Sequence, residues 1–487
     1  DTVTLAGSAG AVTVDVLTFG ATQASAFAGV NGGKTRAVGV SLTGVDFGLA
    51  LLADQADASR TWTSVQAKAH GVTFAGITGL TLAASELDVA INQANKAGGA
   101  VVDYLAQGLA IDTGTSVIQF DMAGAKGELL QASGALHVDA FGFFQVDGAF
   151  AIQKSSQAVT LADNSTVTVD LLTLGASNVN AFAGVNGGAP GATGLNLTGV
   201  EFGLALASQH MAAGSTTPAR TWTTLQASAQ SAAFVGVDGL TLSAGSINVA
   251  INQASAANDD VIDYAAGKTA LSVVTGTGRT LDLSLDGAKG DLLQASGNLS
   301  LDVFGFFKVD GGFAIEKSSK TVTLSDNSSV DVNLLTIGAS GVSAFAGLNG
   351  NTTSSKLGLE LTGVEFGLAL MSQKMATGAT TPARTWTSLQ AHADGASFIG
   401  VDGLALTADS IDVNVNQASA ANDAVVDYSA SKTELVVATG PSNTLALSME
   451  GSKGELIQAA GNLHIDVFGF FKVDGAFAIE KSSKTVT

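Results

Sequence analysis

Three tryptophans, Trp62, Trp222 and Trp386, each follow an Arg-Thr pair, and of all side chains in this sequence they are the best suited to hold a ligand. An exposed indole face stacks on a sugar ring, so a recurring Trp is one route to glycan recognition. An indole covered by the preceding Arg60, Arg220 or Arg384 as a cation–π partner is instead packing at a sheet edge. The packing reading is favoured, and glycan binding stands as the alternative. Asp147, Asp310 and Asp474 also recur, each directly before a Gly. Hairpin geometry accounts for an Asp-Gly pair, but carboxylates clustered in an acidic chain are also calcium ligands. These three are the metal candidates, although neither the D-x-D-x-D-G loop nor the GGxGxD nonapeptide is present.

Catalytic chemistry has weaker support. His137 aligns with Ser300 and His464, His70 with Gln230 and Asp394, His392 with Lys68 and Ser228, and His210 with Lys374. A general base or ligand that is missing from one copy cannot serve every copy, so no His-based triad or metal site is expected. The segments GAKGELLQ, GAKGDLLQ and GSKGELIQ, beginning at Gly124, Gly287 and Gly451, lack the Gly-rich run of a phosphate loop, and their Lys reads as a solvated edge charge. Tyr104, Tyr264 and Tyr428 recur after Asp103, Asp263 and Asp427, and Asn92, Asn252 and Asn416 recur before Gln; buried polar groups tied to backbone explain both sets. The chain is expected not to be an enzyme and to need no cofactor.

What must position these residues is a repeat. FAGVNGG begins at Phe27 and Phe182, with FAGLNGN at Phe345; LTGVDFGLAL at Leu42 returns as LTGVEFGLAL at Leu197 and Leu361; FGFFxVDGxFAI begins at Phe141, Phe304 and Phe468. The Val-Thr pair at Val3, Val159, Val322 and Val486 sets steps of 159 − 3 = 156, 322 − 159 = 163 and 486 − 322 = 164 residues. The repeats are therefore residues 1–157, 158–320 and 321–484, with 485–487 the start of a fourth. A weaker nested similarity (FAGVNG, FVGVDGLTL and FFKVDGGFAI in the second copy) points to smaller β elements inside each. Asp1 in place of an initiator Met, with no leader-like segment, leads us to expect a processed or excerpted chain.

Composition narrows the class. The 487 residues include no Cys, so no disulfide or thiolate site contributes. The balance of 22 Lys and Arg against 42 Asp and Glu gives a net charge of −20, which repels phosphate backbones and argues against nucleic acid. Hydrophobic residues make up 46% and charged ones only 13%, yet no apolar run is long enough for a membrane helix. Such a chain must bury much of its surface within itself or against copies of itself. With three Tyr and three Trp, the aromatic girdles of a transmembrane barrel are not provided for.

Alternating apolar and polar residues at Thr166–Leu174, Ser246–Asn252, Leu281–Gly287 and Leu299–Val309 predict half-buried strands, joined by turns at DG, NG, GG and DNSS. Ala207–Ser215 and Gln253–Ala266 hold at most a turn or short helix, and Pro218 and Pro382 mark matching loops. The expected fold is all-β: an elongated repeat architecture, solenoid-like or a continuous β-sheet rod or tube. Its alternative is a string of antiparallel β-sandwich domains, but AIEKSSKTVTLSDNSS runs between copies without a linker.

The repeated LTGVEFGLAL, ARTWTxLQA, VDGLxL and FGFFKVDGxFAIEKSS resemble the tandem repeats of very large bacterial surface or secreted, adhesin-like proteins. That resemblance covers the whole chain and implies an extracellular or cell-surface structural role, with neighbouring repeats and other copies of the chain as partners. It assigns no site residues.

Overall fold

The computed structural model describes all residues except 8–9, 35–36, 97, 212–217, 257–258, 353–354, 376–381, 421–422 and 483–487. The expected fourth copy at 485–487 lies outside the described residues. The described chain is all-β; its helical content is three short 3₁₀ turns at Gly124–Lys126, Gly287–Lys289 and Gly451–Lys453. Two compact units divide it, the first formed by Asp1–Ala227 with Asn252–Ala288 and the second by Ser228–Ile251 with Lys289–Thr487.

In chain order the strands are β1 (Thr2–Thr4), β2 (Ala11–Val30), β3 (Val38–Asp54), β4 (Thr61–Ala75), β5 (Leu80–Ala94), β6 (Leu109–Asp112), β7 (Val117–Phe120), β8 (Leu129–Ala140), β9 (Phe144–Thr160), β10 (Thr166–Val185), β11 (Thr193–Gln209), β12 (Thr221–Val235), β13 (Leu240–Ala254), β14 (Ser272–Gly276) and β15 (Arg279–Asp282). They continue with β16 (Leu292–Val303), β17 (Phe307–Thr323), β18 (Ser329–Leu348), β19 (Leu357–Gln373), β20 (Thr385–Ile399), β21 (Leu404–Ala418), β22 (Val436–Ala438), β23 (Thr444–Ala446), β24 (Leu456–Val467) and β25 (Phe471–Ser482).

The first compact unit is an antiparallel meander in which each long strand from β2 to β5 and from β8 to β11 pairs with the next in sequence. The exception is β5, which pairs with β8 while residues 95–128 leave the sheet and form the small hairpin β6–β7. The second unit repeats this: β16 to β21 pair in order, β21 pairs with β24, and the hairpin β22–β23 is carried by the excursion between them. The excursions lie on one face of each sheet and supply its core. Ile111 and Phe120 pack with Val14, Leu52 and Trp62, and Val437 and Leu447 pack with Val332, Leu334 and Trp386.

Repeat boundaries fall inside strands. Residues 157 and 158 lie within β9, which is paired with β10 of the next copy from Thr160 opposite Thr166 to Phe144 opposite Ala183. Residues 320 and 321 lie within β17, paired in the same way with β18. Within the first unit the excursion of the second repeat also reaches the first: Thr277 Oγ1 donates to the Glu86 carbonyl at 3.0 Å. Independent sandwich domains would need a break in the ladder at these points, and none is present.

A row of bulges crosses the strands at mid-length and explains the recurring LTGV. Gly44, Gly199 and Gly363 have φ of 58°, 59° and 59°, and the β2–β3, β10–β11 and β18–β19 registers shift beside them. One extra residue moves the following side chains to the opposite parity. Thus Val38, Val40 and Leu42 share a face with Val45, Phe47, Leu49 and Leu51, although their numbers alternate out of phase.

Two expectations are corrected. The stretch Leu299–Val309 is not one strand: it breaks at Phe304–Phe306, where Phe306 N–H closes a turn on the Val303 carbonyl at 2.9 Å. Phe141, Phe304 and Phe468 have φ of 57°, 52° and 50°, a left-handed conformation that is costly for a bulky side chain. The N–H of Phe304 donates to the Gly239 carbonyl at 2.7 Å, and a Cβ on Gly239 (φ 80°) would lie 2.6 Å from the Phe304 ring. We therefore expect Gly239→Ala to destabilise by about 1–2 kcal/mol, measured by chemical denaturation, through left-handed strain and that contact.

Second, Asp147, Asp310 and Asp474 are not turn residues; they lie inside β9, β17 and β25. Gly148 and Gly311 answer to a close approach across the bulge, whereas a Cβ on Gly475 would meet nothing nearer than the Phe477 ring at 3.9 Å. A Cβ on Gly148 would sit 2.6 Å from Val179, and one on Gly311 the same distance from Val342.

Candidate functional site

The recurring Trp, Asn and Tyr come together as a buried latch that fastens each excursion to its sheet. In the first copy the Trp62 indole N–H donates to the Ala100 carbonyl at 2.9 Å, and Asn92 Nδ2 donates to the Val102 carbonyl at 2.7 Å. Ser64 Oγ donates to Asn92 Oδ1 at 3.2 Å and accepts from the Tyr104 hydroxyl at 2.7 Å. The third copy repeats this with Trp386, Ser388, Asn416 and Tyr428, and the second joins the same partners, Trp222, Thr224, Asn252 and Tyr264, with the Thr224 hydroxyl donating to the Tyr264 hydroxyl at 3.2 Å. Sequence spacing fixes the geometry, because Trp and Ser or Thr two residues on share the inward face of one strand, and Asn sits opposite on the next.

Arg60, Arg220 and Arg384 lie over the indoles at 5.3, 5.2 and 5.1 Å. Arg60 is also paired with the buried Asp54 at 3.0 Å, whereas Arg220 and Arg384 bond Gln209 and Gln373. The indoles are 1–3% exposed, so no sugar has a ring face to stack on. The glycan alternative at Trp62, Trp222 and Trp386 is corrected by this burial, and these aromatics are packing residues.

The GAK motif belongs to the same latch. Asp103, Asp263 and Asp427 accept the backbone N–H of Gly124, Gly287 and Gly451 at 3.0 Å each. A Cβ on any of the three glycines would meet the Asp Cβ at 2.7 Å, which excludes every other residue. The lysine that follows is not merely an edge charge in the second copy, where Lys289 pairs with Glu316 at 2.8 Å.

Burial of the latch perturbs its tyrosines. Desolvation pushes the Tyr104 and Tyr264 hydroxyls up to about 12, against the opposing hydrogen bonds to Ser64 and Thr224, and Tyr428 moves in the same direction. A pKa raised above its unfolded value near 10 means the folded state holds the proton longer. Stability from this source is complete below about pH 10 and falls as pH rises through about 12, by roughly 3 kcal/mol per tyrosine. Denaturation midpoints between about pH 8 and about pH 11.5 are expected to fall accordingly, and Tyr264→Phe to remove part of that dependence.

The calcium candidates are separately engaged. Asp147 pairs across the strand with His137, Asp310 with the Ser300 hydroxyl, and Asp474 with His464. The cross-strand partner is His in the first and third copies and Ser in the second, so this position does not carry a His in every copy. Among the described residues no group of three or more His, Asp or Glu is placed to hold a metal ion.

The remaining feature is the sheet face turned away from the excursions. In the second unit Phe307, Ala346, Leu359, Phe398, Leu406 and Ile465 form one cross-strand row, and Phe313, Ala339, Phe366, Ala391, Val413 and Ala459 form another beyond the bulges. The intervening positions on the opposite face include the polar Asp310, Ser343, Thr407 and His464, with Phe345 an apolar exception whose ring lies under Lys356. The first unit has the same division, with Ala28, Val40, Phe74, Leu82, Val138 and Val146 in one row and Ser41, Thr73, His137 and Asp147 behind it. Leu82, Leu195, Leu359 and Leu406 are 43–50% exposed. The alternation was legible in each strand, but the change of parity at the bulges hid the continuity of this face; the glycine of LTGV was the available signal.

Neither a family model nor a curated protein matches the chain. Among solved structures, the alcaligin outer membrane receptor FauA of Bordetella pertussis is similar at 11% identity, over 95% of this chain and 69% of the receptor, with a TM-score of 0.19. At that score the likeness carries no argument about function.

Proposed function

We propose that this chain is a structural, extracellular or cell-surface repeat protein, whose β-rich repeats stack into a fibre, stalk, tube or sheath. The observation that carries the reading is the passage of each repeat boundary through the middle of a paired strand, in β9 and again in β17. Joining copies by backbone hydrogen bonds makes each repeat the template for the next, with approximately nearest-neighbour energetics. The recurring Trp, Asn and Tyr are spent on the latch, and the recurring LTGV glycines on the bulges. Acidic charge and the absence of cysteine fit an exposed extracellular polymer, and lateral association with further copies belongs to the same proposal.

The test is to append one, two and three further copies of residues 158–320 to the chain and image the products by electron microscopy. The structural reading expects contour length to rise by a constant increment per copy. Separate globules joined by flexible tethers would overturn it.

A further inference from the structure

The uncovered apolar face of each sheet calls for an occupant, and we propose that it is lipid hydrocarbon: the chain lies with this face against the acyl layer of a membrane. This goes beyond the structural role and does not depend on it.

The first reason is chemical uniformity. Along β19 the outward residues Leu357, Leu359, Leu361, Val364, Phe366, Leu368 and Leu370 carry no hydrogen-bonding group, and their cross-strand neighbours on β18 are Leu348, Ala346, Ala344, Val342, Ala339, Ile337 and Leu335, of which Val342 and Ala339 are themselves buried. Protein interfaces carry about one hydrogen bond per 100–200 Å². The eight long strands of the second unit from β16 to β25, spaced about 4.8 Å apart and each about 14 residues long with about seven of them facing outward, present roughly 1,500 Å². A protein partner on that area would be expected to meet several polar anchors, whereas acyl chains require none.

The second reason is length and its borders. Leu357 to Leu370 spans about 45 Å along the strand, or roughly 32 Å in projection at the 45° tilt usual for membrane strands, against a hydrocarbon core of about 30 Å. At one end the last row sets Lys317, Thr387 and Gln417 beside Leu335 and Leu370, and Lys481 stands beside Ile457 in the row before it. At the other, the turns carry Phe304, Phe306, Phe468 and Phe470, all more than half exposed. The third reason is asymmetry: the reverse face is polar or covered by the latched excursion, so only one side is suited to an apolar solvent. The tryptophans and tyrosines that would form girdles are instead buried in the latch.

The chain has no cysteine, so single spin labels report cleanly. Leu406→Cys and Thr407→Cys place labels on opposite faces of β21 at adjacent positions, and Leu370→Cys adds a second site on the apolar face. The full chain is mixed with phosphatidylcholine vesicles, and each label is tested for collision with oxygen and with a water-soluble nickel chelate. Lipid contact requires positions 370 and 406 to be open to oxygen and shielded from nickel, with 407 the reverse, and the unlabelled chain to float with the vesicles. Equal nickel access at 406 and 407, or failure of the unlabelled chain to float, overturns the proposal. So does shielding of 370 and 406 from both reagents with dipolar broadening between chains, which would make a second copy the occupant.

Discussion

Replacing Trp386 by Ala is expected to destabilise the compact unit around it by about 4 kcal/mol, the largest effect of any single truncation in the latch. The indole is 1% exposed and fills the space between β20 and the excursion at 419–455, beside Met371, Tyr428 and Leu435. Truncation opens a cavity, removes the bond to the Ala424 carbonyl and uncovers the face on which Arg384 rests. Large-to-small changes of this kind cost about 3–5 kcal/mol, and the site cannot collapse because Asn416 and Tyr428 still pin its far side. Chemical denaturation of the full chain followed by hydrogen exchange checks it: amides of the excursion should lose protection ahead of those in β18 and β19. A loss below about 1 kcal/mol would mean that the excursion is held elsewhere.

Gly338→Ala is expected to come close in magnitude from a single added methyl. Gly338 lies on the inward face of β18, directly beneath the hairpin β22–β23, and a Cβ there would stand 2.2 Å from the Ala438 carbonyl oxygen. Backbone lies on both sides, so neither group can turn aside; the hairpin must lift from the sheet, parting Val437 from Val332 and Leu334. Overpacking of this kind costs about 1–3 kcal/mol, and the bond from Ser340 Oγ to the Thr439 carbonyl is lost with it. Gly175, whose added Cβ would meet the Val274 carbonyl oxygen at 2.1 Å, makes the same seat in the first unit, and Gly175→Ala should behave alike. Denaturation midpoints of both variants against the parent chain measure the effect. Wild-type stability in both would place the hairpins off the sheet.

These residues also mark how far the sequence could be read. Repeat phase, all-β character and most turns follow from alternation and from Asn-Gly, Asp-Gly and Gly-Gly pairs, because strand periodicity and positive-φ turns leave direct traces in composition. The latch residues were visible as recurring Trp, Asn and Tyr with a packing role, but not their assembly, which joins positions 28 and 40 residues apart across an excursion. Gly148 and Gly311 were misread as turn glycines since Asp-Gly is a hairpin signal; their pairing shows close strand approach at a bulge instead, whereas Gly475 lies in β25 with no shift in its register. The FGFF turn was hidden for the opposite reason, as Phe at positive φ is disfavoured locally and is held there by the Gly239 and Gly79 turns.

The most direct test of the structural account is amide hydrogen exchange across a repeat boundary in the native chain. β17 from Glu316 to Thr323 and β18 from Ser329 to Thr336 are fully paired around the junction at 320 and 321. Their interior ladder amides should exchange as slowly as those in the middle of β19, with no fast segment at the junction. Rapid exchange confined to residues 316–323, with slow exchange on either side, would show separate domains joined by a linker and would contradict the account.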